Sequence, residues 1–199
     1  MKKIFTLITL LVAVVTGAQA ASYIPTATKQ FTASQTIILK DDAEAAKTEG
    51  WMTIPAENFS DKTVIQDPDG EIETPSGKVS CLQVKADGNV FNSQKRVVHM
   101  LVTGVSGVKV IGQANEGRGF QIGVTSYNSY TTEKSTMNIV AGSGKKENPV
   151  SYNGMSPENT YIVSVLADQG DTYLYAVRFT VPDADAPAIN AAGTEIRDR

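Results

Sequence analysis

The chain predicts an all-β fold: an antiparallel two-sheet β-sandwich, jelly-roll-like in strand number, with one short helix. Three observations carry this. Short apolar runs of period two recur along the chain and stop at Gly, Pro, Asn and Asp turn chemistry. Roughly nine or ten such runs can be counted, which suits two packed sheets. Only residues 41–48 read as helix, so no strand-helix-strand alternation builds a parallel sheet.

Residues 1–20 read as a signal peptide. Lys2 and Lys3 precede an apolar run from Ile4 to Val15, and Ala18-Gln19-Ala20 closes it as a small-residue cleavage site. The run is short for a bilayer span and no second one approaches that length, so the expectation is a secreted or periplasmic chain without a membrane span. Ala21 follows the cleavage point and the single cysteine, Cys81, lies far downstream, so no lipid anchor is expected. About 180 remaining residues suit one domain, 21–182, able to bury roughly 70% of its extended surface without staples. One cysteine forbids an internal disulfide, and Cys81 reads as a small buried apolar residue. The formal charge of −3 becomes −5 once the two leader lysines are gone. A mildly acidic surface argues against nucleic acid and anionic membranes as partners.

Residues 21–29 read as a loose leader or edge strand, and 31–39 as a strand ending in Ile37-Ile38-Leu39. The helix at 41–48 has acids in its first turn, three alanines, and Gly50 as a stop. Trp51 follows, then a strand at 52–54. Residues 63–74 predict a hairpin, with Val64 and Ile65 on one arm, Ile72 on the other, and the turn Asp67-Pro68-Asp69-Gly70 between. A strand at 78–85 leads through a turn at 86–89 to the centre of the chain, residues 96–126. There Val97, Val98, Met100, Leu101 and Val102 leave only His99 polar, so that strand should be covered on both faces. Val108 and Val110 alternate with Lys109, and Phe120, Ile122 and Val124 with Gln121, Gly123 and Thr125, giving each run one dry face. Short turns between the three predict a meander. A strand at 136–141, a Gly- and Lys-rich loop at 142–146 and a long polar connection to Asn159 come next. Tyr161, Val163 and Val165 alternate with Ile162, Ser164 and Leu166. In the last strand Tyr173, Tyr175, Val177, Phe179 and Val181 are expected to share one face, with Arg178 and Thr180 opposite. Residues 183–199 are Ala-, Pro- and charge-rich and read as a mobile tail. An outer-membrane barrel fits poorly, because the strands are short and the turns do not alternate short with long.

No catalytic signature stands out. His99 is the only histidine and falls inside an apolar strand, where a hydrogen-bonded core imidazole is favoured over a general base. Carboxylates are the enzymatic option, since a glycosidase needs only two of them. Asp67, Asp69, Glu71 and Glu73 are the densest group, and Asp67, Asp69 and Glu71 are the residues a structural Ca²⁺ ion would take. No other cofactor is expected, and the spacing lacks the full ladder of acids of a calcium loop. Asp168 and Asp171 flank a second turn. Sugar binding rests on aromatic faces with polar neighbours. Tyr127, Asn128 and Tyr130 after a core strand, Tyr152 in the later connection, and Trp51 are the candidates, although Trp51 also suits a core plug. Arg118, between two glycines, could meet a uronate carboxylate. Gly142-Ser143-Gly144-Lys145-Lys146 lacks the first glycine of a phosphate loop, and Asn58-Phe59-Ser60 matches a glycosylation acceptor that matters only in a eukaryotic secretory path.

The order Val98-His99-Met100-Leu101-Val102-Thr103-Gly104-Val105, then Val108-Lys109-Val110, Gly117-Arg118-Gly119-Phe120-Gln121-Ile122 and Thr172-Tyr173-Leu174-Tyr175-Ala176-Val177-Arg178-Phe179 resembles β-sandwich modules of exported gut and oral Bacteroidetes proteins. Those modules are often attached to polysaccharide-degrading enzymes such as pectate lyases. The resemblance covers less than half of the chain and implies a non-catalytic, carbohydrate-binding-like accessory domain. The functional expectation is therefore an exported binding module for extracellular polysaccharide. A structural or adhesion subunit with protein partners, or a carboxylate-based glycoside hydrolase or lyase, are the alternatives.

Overall fold

The computed structural model describes residues 23–86, 96–113, 119–127, 139–141, 149–168 and 170–182. The leader at 1–20, the tail at 183–199 and the loop at 142–146 lie outside them. Two sheets pack face to face, as the alternation predicts. Sheet I has the order β1-β6-β11-β8-β9, with β3 also on β6, and sheet II the order β10-β7-β12-β5-β4, with β2 also on β12. The strands are β1 Lys29–Gln30, β2 Gln35–Ile38, β3 Met52–Thr53, β4 Phe59–Thr63, β5 Lys78–Lys85, β6 Val98–Thr103, β7 Gly107–Gly112, β8 Phe120–Ser126, β9 Ile139–Ala141, β10 Val150–Tyr152, β11 Thr160–Ala167 and β12 Asp171–Thr180. From β5 to β12 the chain changes sheet at every connection except β8 to β9. With the orders β10-β7-β12-β5 and β6-β11-β8-β9, this is jelly-roll connectivity. All pairings are antiparallel save β1 with β6. Among the described residues no helix is long and apolar enough to cross a membrane.

The inner faces follow the period of two. Val98, Met100 and Val102 of β6, Phe120, Ile122 and Val124 of β8, and Tyr161, Val163 and Val165 of β11 meet Leu82 and Val84 of β5, Val108 and Val110 of β7, and Val177 and Phe179 of β12. The helix α1, Leu39–Thr48, adds Leu39, Ala43 and Ala46 to this core. It begins two residues before the expected start because the Asp42 carboxylate accepts the Ile38 N–H at 2.7 Å, holding the entry to the first turn. The same early start ends β2 at Ile38. At its far end Gly50 takes φ +82°, where a side chain would be strained and would crowd Thr26. Trp51 then turns inward against Phe31, edge to face at 6.1 Å, and Phe31 stacks on Phe179 at 4.8 Å. These rings plug one end of the sandwich.

Four expectations are corrected. The central three strands are not a meander: β6 and β8 lie in sheet I, both paired to β11, while β7 lies in sheet II beside β12. The turn at 104–106 carries the chain over the sandwich edge, tied by Gly104 N–H to the Pro157 carbonyl and Ser106 N–H to the Thr180 carbonyl. The hairpin at 63–74 has its turn, with Gly70 N–H donating to the Asp67 carbonyl at 3.1 Å, but no second strand. The Ile72 N–H bonds the Asp67 carboxylate at 2.8 Å instead of a ladder partner, and Val64 makes an isolated bridge to Gln113. In β12 the register slips between Leu174 and Ala176. Leu174 therefore faces the inner core, while Tyr173, Tyr175 and Ala176 lie on the outer face of sheet II. Finally, the polar connection before Asn159 contains β10, an edge strand on β7 too short to show as a run of its own.

Candidate functional site

The outer face of sheet II gathers the polar chemistry of the described chain. At one end of that face, β5 places Gln83 opposite Tyr173 of β12. Gln83 Oε1 accepts from Asn58 Nδ2 at 2.6 Å and from Arg96 Nη1, and Gln83 Nε2 donates to Asp171 Oδ2. Lys85 Nζ lies 3.4 Å from Asp171 Oδ1. With only 7% exposure, Gln83 is held in one orientation by these three partners. Tyr173 beside it is half-buried, and Lys62 Nζ sits 4.1 Å from its ring centroid, a cation on an aromatic face. Arg96 Nε is buried without an acceptor among the described residues. The result is a pre-set row of donors and acceptors beside an aromatic ring. Lys62, Lys85 and Arg96 outnumber Asp171 there, although the chain as a whole is acidic.

Further along the same face lies the acidic group that the spacing singled out. Asp67, Asp69 and Glu71 do converge, but on an ammonium: Lys109 Nζ is 2.7 Å from Asp67, 2.9 Å from Asp69 and 2.9 Å from Glu71. Lys109 is buried, and the Asp67 side chain is only 1% exposed, against 68% for Asp69 and 45% for Glu71. Burial opposes the charged form of both partners. The hydrogen bonds outweigh it, so Lys109 titrates above its ordinary range and Asp67 below its own. A Ca²⁺ ion at these oxygens would have to displace Lys109. Ile72, packed with Val64, Ile111, Cys81, Tyr175 and Ala176, closes a small second core beneath this segment. Burial, with Asp61 nearby, pushes the Cys81 thiol up to about 12.

The remaining candidates are scattered. Trp51 is 4% exposed, its Nε1 bonded to Glu49 at 2.9 Å, and its ring belongs to the core. Tyr152 packs partly against the core and donates to the Gly154 carbonyl. Tyr127 is half-buried at the end of β8, its N–H bonded to the Thr160 carbonyl. Arg118, Asn128 and Tyr130 lie outside the described residues. His99 is fully buried on the outer side of β6, with Nδ1 2.9 Å from Ser164 Oγ of the paired strand. Asp168 accepts from Gln121 Nε2 at 2.9 Å.

The Asn58, Gln83, Arg96 and Asp171 row was not singled out by the sequence. Its only local sign is Gln83 on the outer side of the alternating run 78–85; the partners come from three other segments. No family model, no curated protein and no solved structure matches this chain. Fold and site together define a jelly-roll β-sandwich with a structured polar and aromatic patch on one outer face.

Proposed function

We propose that this chain is an exported, non-catalytic module that binds extracellular polysaccharide through the outer face of sheet II. The observation that carries the reading is Tyr173, half-exposed beside the fixed row of Asn58, Gln83 and Asp171. A pyranose presents an apolar ring face edged by hydroxyls, so an aromatic plane next to pre-oriented donors and acceptors is the complementary surface once the flexible Lys62 side chain, whose ammonium lies 4.1 Å from the ring centroid, swings aside. Because Gln83 is already held by three partners, little side-chain freedom remains to be lost on binding. The resemblance of the central strands to modules of polysaccharide-degrading systems points the same way. Of the acids the hydrolase alternative would use, Asp67 is buried on Lys109 and the Ile72 amide, while the exposed Asp69 and Glu71 are bonded to the same ammonium.

Affinity electrophoresis through gels loaded with soluble neutral and acidic polysaccharides tests this. The variants are Tyr173→Ala and Gln83→Leu, with Tyr127→Ala and Tyr130→Ala reporting on the loop candidates. Retardation of the wild type that weakens at least about tenfold in the first two, a loss of ~1.4 kcal/mol, is expected. Retardation lost only with Tyr127 or Tyr130 would move the site to residues 127–130. No retardation by any polysaccharide would remove the reading.

A further inference from the structure

Residues 66–77 carry no strand or helix, yet they cover the outer face of sheet II. The backbone of this segment is anchored at its root, where Ile65 N–H donates to the Gly112 carbonyl at 3.0 Å. Beyond that point its attachments to the sheet are side chains. Asp67, Asp69 and Glu71 all close on the single Lys109 ammonium of β7, and Ile72, 1% exposed, enters the second core. The strands beneath are paired with one another: β12 with β7, broken only by the slip between Leu174 and Ala176, β12 with β5, and β5 with β4. A segment held by one cation and one apolar side chain, lying over strands that are paired without it, has the makeup of a local opening unit.

We propose that residues 66–77 are a strap, latched by Lys109, that releases from sheet II while both sheets stay paired, uncovering an apolar patch of Cys81, Ile111, Tyr175 and Ala176. Closed, the strap keeps from water an apolar surface that would otherwise invite association. Open, it adds Tyr175 to the outer face two residues beyond Tyr173. The inference does not depend on glycan binding, because it concerns only what covers the face.

Cys81 is the chain's only thiol and lies under the strap, so its alkylation reports opening. Release would also return the thiol toward the range of a solvated cysteine, about 8.5, which further favours reaction. The experiment is iodoacetamide labelling of the purified chain at pH 8, followed by intact mass, in urea concentrations below the unfolding transition. Strap release predicts labelling in the wild type with a shallow urea dependence, because little surface is exposed. Lys109→Met and Ile72→Ala should each accelerate it, Lys109→Met by roughly 100-fold, with far-ultraviolet dichroism unchanged. Labelling of the wild type only within the global transition, or with the full urea dependence of global unfolding, would overturn the proposal. The wild-type urea dependence decides even where a variant fails to fold.

Discussion

Replacing Lys109 with Met should destabilise the fold by about 3 kcal/mol at pH 7, and the loss should shrink in acid. Asp69 and Glu71 are largely solvated and recover water when the ammonium goes, so each contributes within the ~0–1 kcal/mol of a surface pair. Asp67 is different, because its side chain is 1% exposed and would be left as a buried charge. Breaking such a pair costs about 3–5 kcal/mol. The lower end applies because the amides of Ile72 and Asp69 still donate to that carboxylate, at 2.8 and 3.4 Å. In the wild type the folded pKa of Asp67 lies below its unfolded value of about 3.9, so its stabilisation is present above that pH and is lost as pH falls through the folded value. Lys109, raised when folded, stabilises fully below about 10.4 and loses the contribution as pH rises through its folded value. The pair is therefore at full strength from about pH 5 to about pH 10. Without Lys109 the same burial is opposed only by the Ile72 and Asp69 amides, so the Asp67 pKa rises and the variant loses less than the wild type as the carboxylate is protonated. Urea unfolding followed by fluorescence of the sole tryptophan, buried Trp51, at pH 7, 5.5 and 4 measures the gap. Asp67→Asn in both backgrounds completes a double-mutant cycle. A gap under about 1 kcal/mol that stays constant with pH would show that water screens the node and would refute the reasoning.

Three further outcomes follow from the packing. Phe179→Ala removes the ring that stacks on Phe31 and should cost about 3–5 kcal/mol in the same urea assay. Gly104→Ala should cost at least about 1–2 kcal/mol, since Gly104 takes φ +81° and a methyl there would collide with the Phe31 carbonyl oxygen; calorimetry would show a lowered Tm. Tyr152→Phe removes only a surface hydrogen bond to the Gly154 carbonyl, and should shift stability by less than about 0.5 kcal/mol.

Much of the fold was legible because dry faces repeat locally. Val79-Ser80-Cys81-Leu82-Gln83-Val84 marks β5 by itself, and the nearly unbroken run from Val97 to Val102 marks a strand buried on both sides, as β6 is. What the alternation could not say was which strand lies beside which. Short turns such as 104–106 suit either a return in the same sheet or a step to the opposite one, and the step is held by partners remote in sequence, the Pro157 and Thr180 carbonyls. The slip at Leu174 and Ala176 was hidden for a related reason. Every residue from Leu174 to Val177 is apolar or aromatic, so two alternations fit equally well until β7 sets the register.

The candidate site was less legible. Asp67, Asp69 and Glu71 stood out as a cluster because they are near in sequence, but their counter-charge is Lys109, 38 to 42 residues on, so a buried ion node read as a metal group. Gln83, Asn58, Arg96 and Asp171 have no shared motif; their hydrogen bonds exist because β4, β5 and β12 lie side by side and because Arg96, before β6, is tied to β5 by the Lys85 N–H.

From the sequence alone came the two-layer architecture, the helix with its Gly50 stop, Trp51 as a plug and the burial of Cys81. Each rests on chemistry within a few residues: a period of two, a left-handed φ, a small apolar side chain in an apolar run. The tertiary structure alone decided the jelly-roll crossing order, the bulge that turns Tyr173 and Tyr175 outward, the latch on Lys109 and the polar row around Gln83. These are choices of partner across long stretches of chain, and a partner is selected by the free energy of the whole packed assembly.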